Sequence, residues 1–359
     1  MNAADIEFQR IADTTSNASW TCTRDVISGV GTAVLVRRVE RSLNASRGTE
    51  SGTLSEKRAT KSDGNAALTR ADAFRPKSPM GVQTGLAGTA TASVPAPASQ
   101  HTFGDLPTVR AMGSGDRAPV IGFDTEFTQL ADGSRVINSY QFSCIDPESG
   151  DWRIDVVLLP LTPDRLAVDG SLAVVIRETG LWRTMGLPDP RGIPRRDFWG
   201  DGDYRASVDA LYRTHRLSIV LAGHYLKADL TAFARPVRQR GDGRYDDILR
   251  RVTSASGGLV SLKPIRMMPR SGGRGQGERW LPLSITVRDT MCQTAPGKKK
   301  LAHLGDACGV AKLDVGGAIF DMSGMRQERL AEFLEYGAND AVIVVEYLTA
   351  LWGLGPCLR

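Results

Sequence analysis

The sequence predicts an α/β protein, because closely spaced strands are followed by alternating helices and strands. Three segments with strand-like apolar patterns, 120–127, 136–145 and 152–161, are separated by short polar turns. This spacing favours an antiparallel meander. A helical pattern at 204–216 then precedes an apolar strand at 218–224. From this order we expect a mixed central sheet flanked by helices.

The second half of the chain continues the alternation. A helical pattern at 228–237 is followed by a fifth strand at 283–291 and a helix at 299–309. The closing segment 327–351 carries the strongest helical signal of the chain, with apolar residues at helical spacing.

The first 116 residues differ in amino-acid composition from the rest. Residues 42–114 are rich in Ser, Thr, Ala, Gly and Pro and have almost no aromatic side chains, so they cannot bury enough apolar surface to offset the entropy of ordering them. We therefore expect residues 1–116 to be a largely disordered N-terminal tail, with at most one short strand or helix at 20–45. The folded domain is predicted at 117–359.

Composition excludes several classes of protein. The 359 residues include 45 basic and 40 acidic side chains, a net charge of +5, which argues against a histone-like protein held to nucleic acid by bulk charge. Five scattered cysteines without a CxxC pair argue against a disulfide framework and a structural zinc site. The polar N-terminus and the lack of a segment of about 20 apolar residues argue against a secretory signal and a membrane span. A soluble, cytoplasmic protein without a membrane partner is the expectation.

Charge is unevenly distributed along the predicted domain. Residues 231–300 hold 15 basic against 5 acidic side chains. Such a basic, glycine-rich stretch is able to follow a phosphate backbone, and the alternative is a solvated, variable insertion.

The sharpest local feature is the pair Asp124 and Glu126 at the end of the first predicted strand. Residues i and i+2 of a strand point to the same face, so the two carboxylates lie side by side and repel each other. A hard divalent ion such as Mg²⁺ is the natural counter-ion for paired carboxylate oxygens. An Asp-x-Glu pattern alone is nevertheless common.

Three further residues strengthen the metal hypothesis. Asp229 follows the buried strand at 218–224 and begins a helix. Tyr336 and Asp340 have i, i+4 spacing on the last helix, and the apolar residues after Asp340 predict that this face enters the core. The alternatives are a helix cap for Asp229 and a core tyrosine with a surface aspartate for the other two.

As an ordered set, Asp124-x-Glu126, Asp229 and Tyr336-x-x-x-Asp340 resemble the DEDDy branch of the DnaQ-like 3′→5′ exonucleases. The proofreading domain of family B DNA polymerases, particularly the protein-primed phage and linear-plasmid types, is the most similar. The resemblance covers about residues 118–352, implies a ribonuclease H-like fold, and leaves inserts near 162–200 and 238–280. This chain has Tyr225 and Ala228 where the family commonly has an asparagine and an aromatic residue.

The resemblance implies two-metal hydrolysis of phosphodiester bonds at the 3′ end of single-stranded DNA. Two Mg²⁺ or Mn²⁺ ions would be held by four carboxylates, and Tyr336 would orient the attacking water. The expected catalytic residues are Asp124, Glu126, Asp229, Tyr336 and Asp340, of which all but Tyr336 are metal ligands. The expected nucleic-acid-binding residues are Phe127, His224, Tyr225, Lys299 and Lys300. Core packing is the alternative for Phe127, a packing or hydrogen-bonding role is the alternative for His224, and a basic helix start is the alternative for the two lysines.

Other functions fit the same residues. RNA is a possible substrate, because the same site cleaves either sugar. The chain ends soon after the third motif, so polymerase domains are not expected. An exonuclease part of a split or degenerate polymerase, acting with a separate polymerase or replication protein, therefore remains open. So does a non-catalytic nucleic-acid-binding module, although clustered carboxylates without metal would destabilise it.

Overall fold

The computed structural model describes residues 2–16, 18–27, 29–41, 118–146, 149–181, 183, 217–234, 248–267, 270–271, 278–279 and 283–352. The described helices and strands belong to one compact unit, which is built from residues 1–46 and 112–359. The predicted helix at 204–216 lies outside the described residues.

A mixed sheet forms the centre of this unit. Its path runs β1-β2-β5-β4-β3-β6-β12-β8-β7, and β9 pairs with β12. The strands are β1 (Thr21–Ile27), β2 (Val30–Glu40), β3 (Val120–Gln129), β4 (Arg135–Ile145), β5 (Trp152–Pro160), β6 (Leu217–Gly223), β7 (Val252–Ala255), β8 (Gly258–Ser261), β9 (Ile265–Met267) and β12 (Leu283–Asp289). A separate short pair consists of β10 (Arg270–Ser271) and β11 (Glu278–Arg279).

Helices pack on both faces of this sheet. The helices are α1 (Ala3–Thr15), α2 (Val168–Thr179), α3 (Leu226–Asp229), α4 (Ile248–Arg251), α5 (Leu301–Cys308), α6 (Met322–Glu328) and α7 (Leu330–Leu351). Side chains of α1, α6 and α7 share one apolar cluster with β2 and β5, whereas α2 and α3 pack into the larger cluster on the opposite face. This confirms the predicted α/β class with a mixed sheet between helices.

The predicted meander is present as β3, β4 and β5. Successive strands pair antiparallel, with Asp124 opposite Gln141 and Tyr140 opposite Leu158. Strand β6 then pairs parallel with both β3 and β12. Stacked rings of Phe123, Phe142 and Phe233 form the core on the α2 side.

The described residues between 2 and 41 are folded, which corrects the expectation of a tail for that stretch, whereas residues 42–116 of the expected tail lie outside the described residues. Strand β2 pairs along its length with β5, from Thr32 opposite Pro160 to Glu40 opposite Trp152. Ala33, Val34 and Leu35 are fully buried, because β2 is covered on both faces. The prediction failed because the partner strand lies far along the chain, so no local pattern reveals the pairing.

Two further elements differ from the prediction. Helix α2 lies within the insert expected at 162–200, and nine of its twelve residues are buried against the sheet. The helix expected at 228–237 begins as α3 at Leu226 and continues as a 3₁₀ turn, Leu230–Ala232, and residues 235–237 lie outside the described part. In the part of the chain that is described, no helix combines the length and apolar character needed to cross a membrane.

Candidate metal centre

Strand β3 and helix α7 bring three carboxylates together. Asp124 and Glu126 project to the face of β3 that α7 covers. The helix packs closely on the strand at Gly122, where an added Cβ would collide with the carbonyl oxygen of Ala341. Asp340 on α7 is 6% exposed. One carboxylate oxygen from each of Asp124, Glu126 and Asp340 lies within 4.8 Å of the others.

The fourth predicted ligand lies beside this trio without joining it. Asp229, at the end of α3, is buried, and its Oδ1 accepts a hydrogen bond of 2.8 Å from Thr125 Oγ1. Thr125 projects to the face of β3 opposite the trio, where α3 packs. The carboxylate of Asp229 is still near enough for its charge to raise the pKa of Asp124. The structure therefore brings three of the four predicted carboxylates together and places the fourth next to them.

Burial and mutual repulsion make these carboxyl groups reluctant to ionise. Burial, followed by the charges of Asp229, Glu126 and Asp340, raises the pKa of Asp124 well above its ordinary value. Burial and the charge of Asp340 raise the pKa of Glu126 to about 8. Burial raises the pKa of Asp229 to about 7, although the hydrogen bond from Thr125 opposes that shift. Such a cluster gains a stable ionised form when a cation enters it.

The donor set suits a hard divalent ion. Carboxylate oxygens are the preferred ligands of Mg²⁺, which is bound through a few carboxylates and keeps several waters. Three clustered carboxylates fit that requirement better than they fit zinc, for which nitrogen and sulfur ligands predominate in structural sites.

A lysine that the sequence analysis did not select lies against the trio. Lys312 Nζ is 2.7 Å from Asp340 Oδ1 and 3.5 Å from the hydroxyl of Tyr336. Its charge opposes the rise in the pKa of Asp124, Glu126 and Asp340. Lys312 lies in an irregular segment between α5 and α6, so no helical or strand period pointed to it. The sequence offered one clue to Lys312: basic residues are rare in this part of the chain, and only four occur after residue 300.

Tyr336 completes the centre. Its side chain is buried and its ring lies beneath Lys312 Nζ, which is 4.8 Å from the ring centroid. Burial, together with the charges of Asp340, Glu126 and Asp124, raises the pKa of the Tyr336 phenol. The hydroxyl therefore keeps its proton at neutral pH and acts as a hydrogen-bonding group.

Two predicted nucleic-acid-binding residues, His224 and Tyr225, follow β6 and lie in different environments. His224 is held at both ring nitrogens, by Thr290 Oγ1 at 2.8 Å and by the carbonyl oxygen of Lys299 at 2.9 Å. Burial lowers the pKa of His224. The neutral, doubly bonded ring joins two loops, which agrees with the hydrogen-bonding alternative. Tyr225, by contrast, is 50% exposed and adopts a left-handed backbone with φ of 65°.

Asp289 holds this tight turn. Its carboxylate accepts hydrogen bonds from the backbone N–H groups of Tyr225 and Leu226 at 3.0 and 2.9 Å. It also accepts one from Met291 N, so it caps the turn after β12. Asp289 thereby aims Tyr225 outward while α3 carries Asp229 inward.

Lys299 and Lys300 are exposed at the start of α5. The contact between His224 and Lys299 brings this basic segment beside Tyr225. Phe127 is only half-buried, packs against the core, and has the guanidinium of Arg135 4.3 Å from its ring centroid. One face of the Phe127 ring is thus already covered within the protein, which favours a packing role over base stacking.

No protein-family model, curated protein or solved structure matches this chain.

Proposed function

We propose that this protein is a metal-dependent 3′→5′ exonuclease that hydrolyses phosphodiester bonds at single-stranded 3′ ends of DNA. The observation that carries the proposal is the convergence of Asp124, Glu126 and Asp340 on one point, with Tyr336 and Lys312 beside it. A β-meander next to parallel strands, with helices on both faces, supports a ribonuclease H-like assignment of the fold.

Asp124, Glu126 and Asp340 would hold Mg²⁺ or Mn²⁺, and Asp229, whose charge reaches Asp124, would supply a further carboxylate oxygen. When bound, two such ions lower the pKa of a water molecule and stabilise the charge on the leaving oxygen.

The remaining groups act on the water and the phosphate. Tyr336 keeps its proton, so its hydroxyl positions the attacking water and does not remove a proton from it. Lys312 holds the Tyr336 hydroxyl and supplies a positive charge next to the scissile phosphate.

The exposed groups beside the centre suit a flexible strand. Tyr225 presents an aromatic face to solvent. Its neighbour His224 bonds the carbonyl oxygen of Lys299, which brings three consecutive lysines, 298–300, next to Tyr225. An aromatic ring bordered by cations binds unpaired bases and their phosphates without reading sequence. This arrangement favours single strands over duplex.

The deciding experiment uses a 5′-labelled oligonucleotide with a single-stranded 3′ tail, incubated with the full chain and Mg²⁺ or Mn²⁺. We expect stepwise shortening from the 3′ end that stops with chelator and in Asp124→Ala. Asp132→Ala is the matched control, because Asp132 is an exposed turn residue whose carboxylate accepts a hydrogen bond from Ser134 N in its own loop.

The same assay separates the alternatives. Binding without shortening, unchanged in Asp124→Ala, would contradict catalysis and favour a non-catalytic module. Faster shortening of RNA than of DNA would move the substrate from DNA to RNA while leaving the metal chemistry intact.

A further inference from the structure

A buried amide lies between the sheet and α7, next to the carboxylate trio. Gln141 on β4 is 1% exposed, and its Nε2 donates a hydrogen bond of 2.6 Å to Ser139 Oγ. Helix α7 packs directly against this amide at Gly337, where an added Cβ would collide with Gln141 Nε2. Gly337 immediately follows Tyr336, so the amide touches the turn of α7 that carries the site.

The strand register places the amide beside the first ligand. Gln141 lies directly opposite Asp124, and Ser139 lies opposite Glu126. Side chains of directly opposed residues share a face, with Cβ atoms about 5 Å apart. The pair Ser139 and Gln141 therefore lines the two strand carboxylates on the side away from β6.

The carbonyl oxygen of this amide lacks a donor. Gln141 Oε1 is buried and has no hydrogen-bond partner among the described residues. A buried carbonyl without a donor is unfavourable, so such atoms in folded proteins are normally satisfied by protein groups or ordered water. The neighbouring carboxylates, once ionised, only accept hydrogen bonds and cannot serve. A water molecule held beside the strand carboxylates would supply this donor, because Gln141 lies opposite Asp124 on the neighbouring strand.

We propose that Gln141 Oε1 accepts a hydrogen bond from a water molecule on the divalent ion held by Asp124, Glu126 and Asp340. This inference rests on the proposed metal-dependent function. Magnesium and manganese sites built on few carboxylates retain waters, and groups that bond such outer atoms tune metal affinity. Gln141 is then a positioning residue for the ion, acting through water and not as a ligand.

The first test measures Mn²⁺ binding to the full chain without nucleic acid. Electron paramagnetic resonance detects the Mn²⁺ that remains free. Gln141→Met keeps the side-chain length and removes the acceptor, so we expect affinity to fall about tenfold or more. Gln293→Met is the matched control. Gln293 Oε1 is also buried without a partner in the described chain, but its backbone bonds Tyr347, about 10 Å along α7 from Asp340. We expect no change there.

A second variant and a second readout separate positioning from folding. Gln141→Glu keeps an acceptor oxygen in nearly the same place, so its Mn²⁺ affinity should equal or exceed that of the wild type. In chelator, Gln141→Met should melt close to the wild type, because it removes an unsatisfied acceptor together with the hydrogen bond to Ser139. Its defect should appear only as a smaller rise of the melting temperature on adding Mn²⁺.

Three results would overturn the inference. Equal Mn²⁺ affinity of Gln141→Met and wild type would show that the amide does not act on the ion, while the proposed function would stand. A melting temperature lowered equally with and without Mn²⁺ would show that Gln141 only supports the fold. A wild-type protein that binds no Mn²⁺ would end both this inference and the proposed function.

Discussion

Lys312 Nζ lies 2.7 Å from Oδ1 of Asp340, so a cation of the protein itself already contacts the carboxylate trio. The same ammonium reaches the hydroxyl of Tyr336 at 3.5 Å. Lys312 therefore joins the two functional groups of α7 to the segment that precedes α6, and its removal tests the proposed chemistry directly.

For Lys312→Met we expect turnover to fall about a hundredfold, because one preorganised positive group next to the reacting phosphate is lost. Steady-state shortening of the labelled oligonucleotide measures this effect. Lys312→Arg, which keeps the charge, should retain part of the activity. Unchanged turnover in Lys312→Met would exclude a catalytic role for this side chain.

The raised carboxyl pKa values predict how stability depends on pH in the absence of metal. A carboxyl whose pKa is higher in the folded state binds protons more tightly when folded, so stability is lost as pH rises from the unfolded to the folded pKa. For Glu126 this window runs from an ordinary value of 4.5 to about 8, and for Asp229 it runs from 3.8 to about 7.

In chelator, the free energy of unfolding should therefore fall by on the order of a few kcal/mol between about pH 5 and pH 8. Denaturant titrations at several pH values measure the slope, and Glu126→Gln should flatten it. Added Mn²⁺ should restore stability most strongly at high pH, since it binds the ionised carboxylates. A stability that rises with pH in chelator would contradict the geometry of the cluster.

An ion-pair network, buried at Asp155 and half-exposed at Glu335, connects the N-terminal strand β2 to α7. The guanidinium of Arg37 contacts the fully buried Asp155 at 3.0 Å, pairs with Glu335, and stacks on Trp20 at 4.4 Å from the ring centroid. Glu335 precedes Tyr336, so this network supports the turn of α7 that carries the site.

Arg37→Met should lower the free energy of unfolding by about 3 kcal/mol, because it removes a partner of a buried carboxylate. Arg153, which is 3.0 Å from Asp155, still pairs with that carboxylate in the variant and so limits the loss of stability. Arg24→Met is the matched control, since the pair of Arg24 with Asp5 is far more exposed and should contribute little. Equal effects of the two substitutions would show that the Arg37 network does not hold β2 in place.

The sequence predicted the elements whose patterns are local. Short apolar runs bounded by polar turns marked β3 and β4, and the helical period marked α7 together with the spacing of Tyr336 and Asp340. It failed for β2, whose strand partner is distant, and for α2, which lies within a stretch interpreted as an insert. In the site, carboxylates were recognisable by type and order, whereas Lys312 and Gln141 depend on a loop path and on strand register, which no short pattern encodes.

The long-range pairing of β2 also bears on the order of synthesis. Residues 20–41 leave the ribosome well before β5 and long before α7, although both are needed to cover Ala33 and Leu35. During that interval the nascent hairpin exposes apolar side chains and an unpaired strand edge, which is the kind of surface that chaperones bind. Slow translation between the two halves would lengthen this vulnerable period, so the yield of folded protein should depend on the speed of elongation and on chaperone supply.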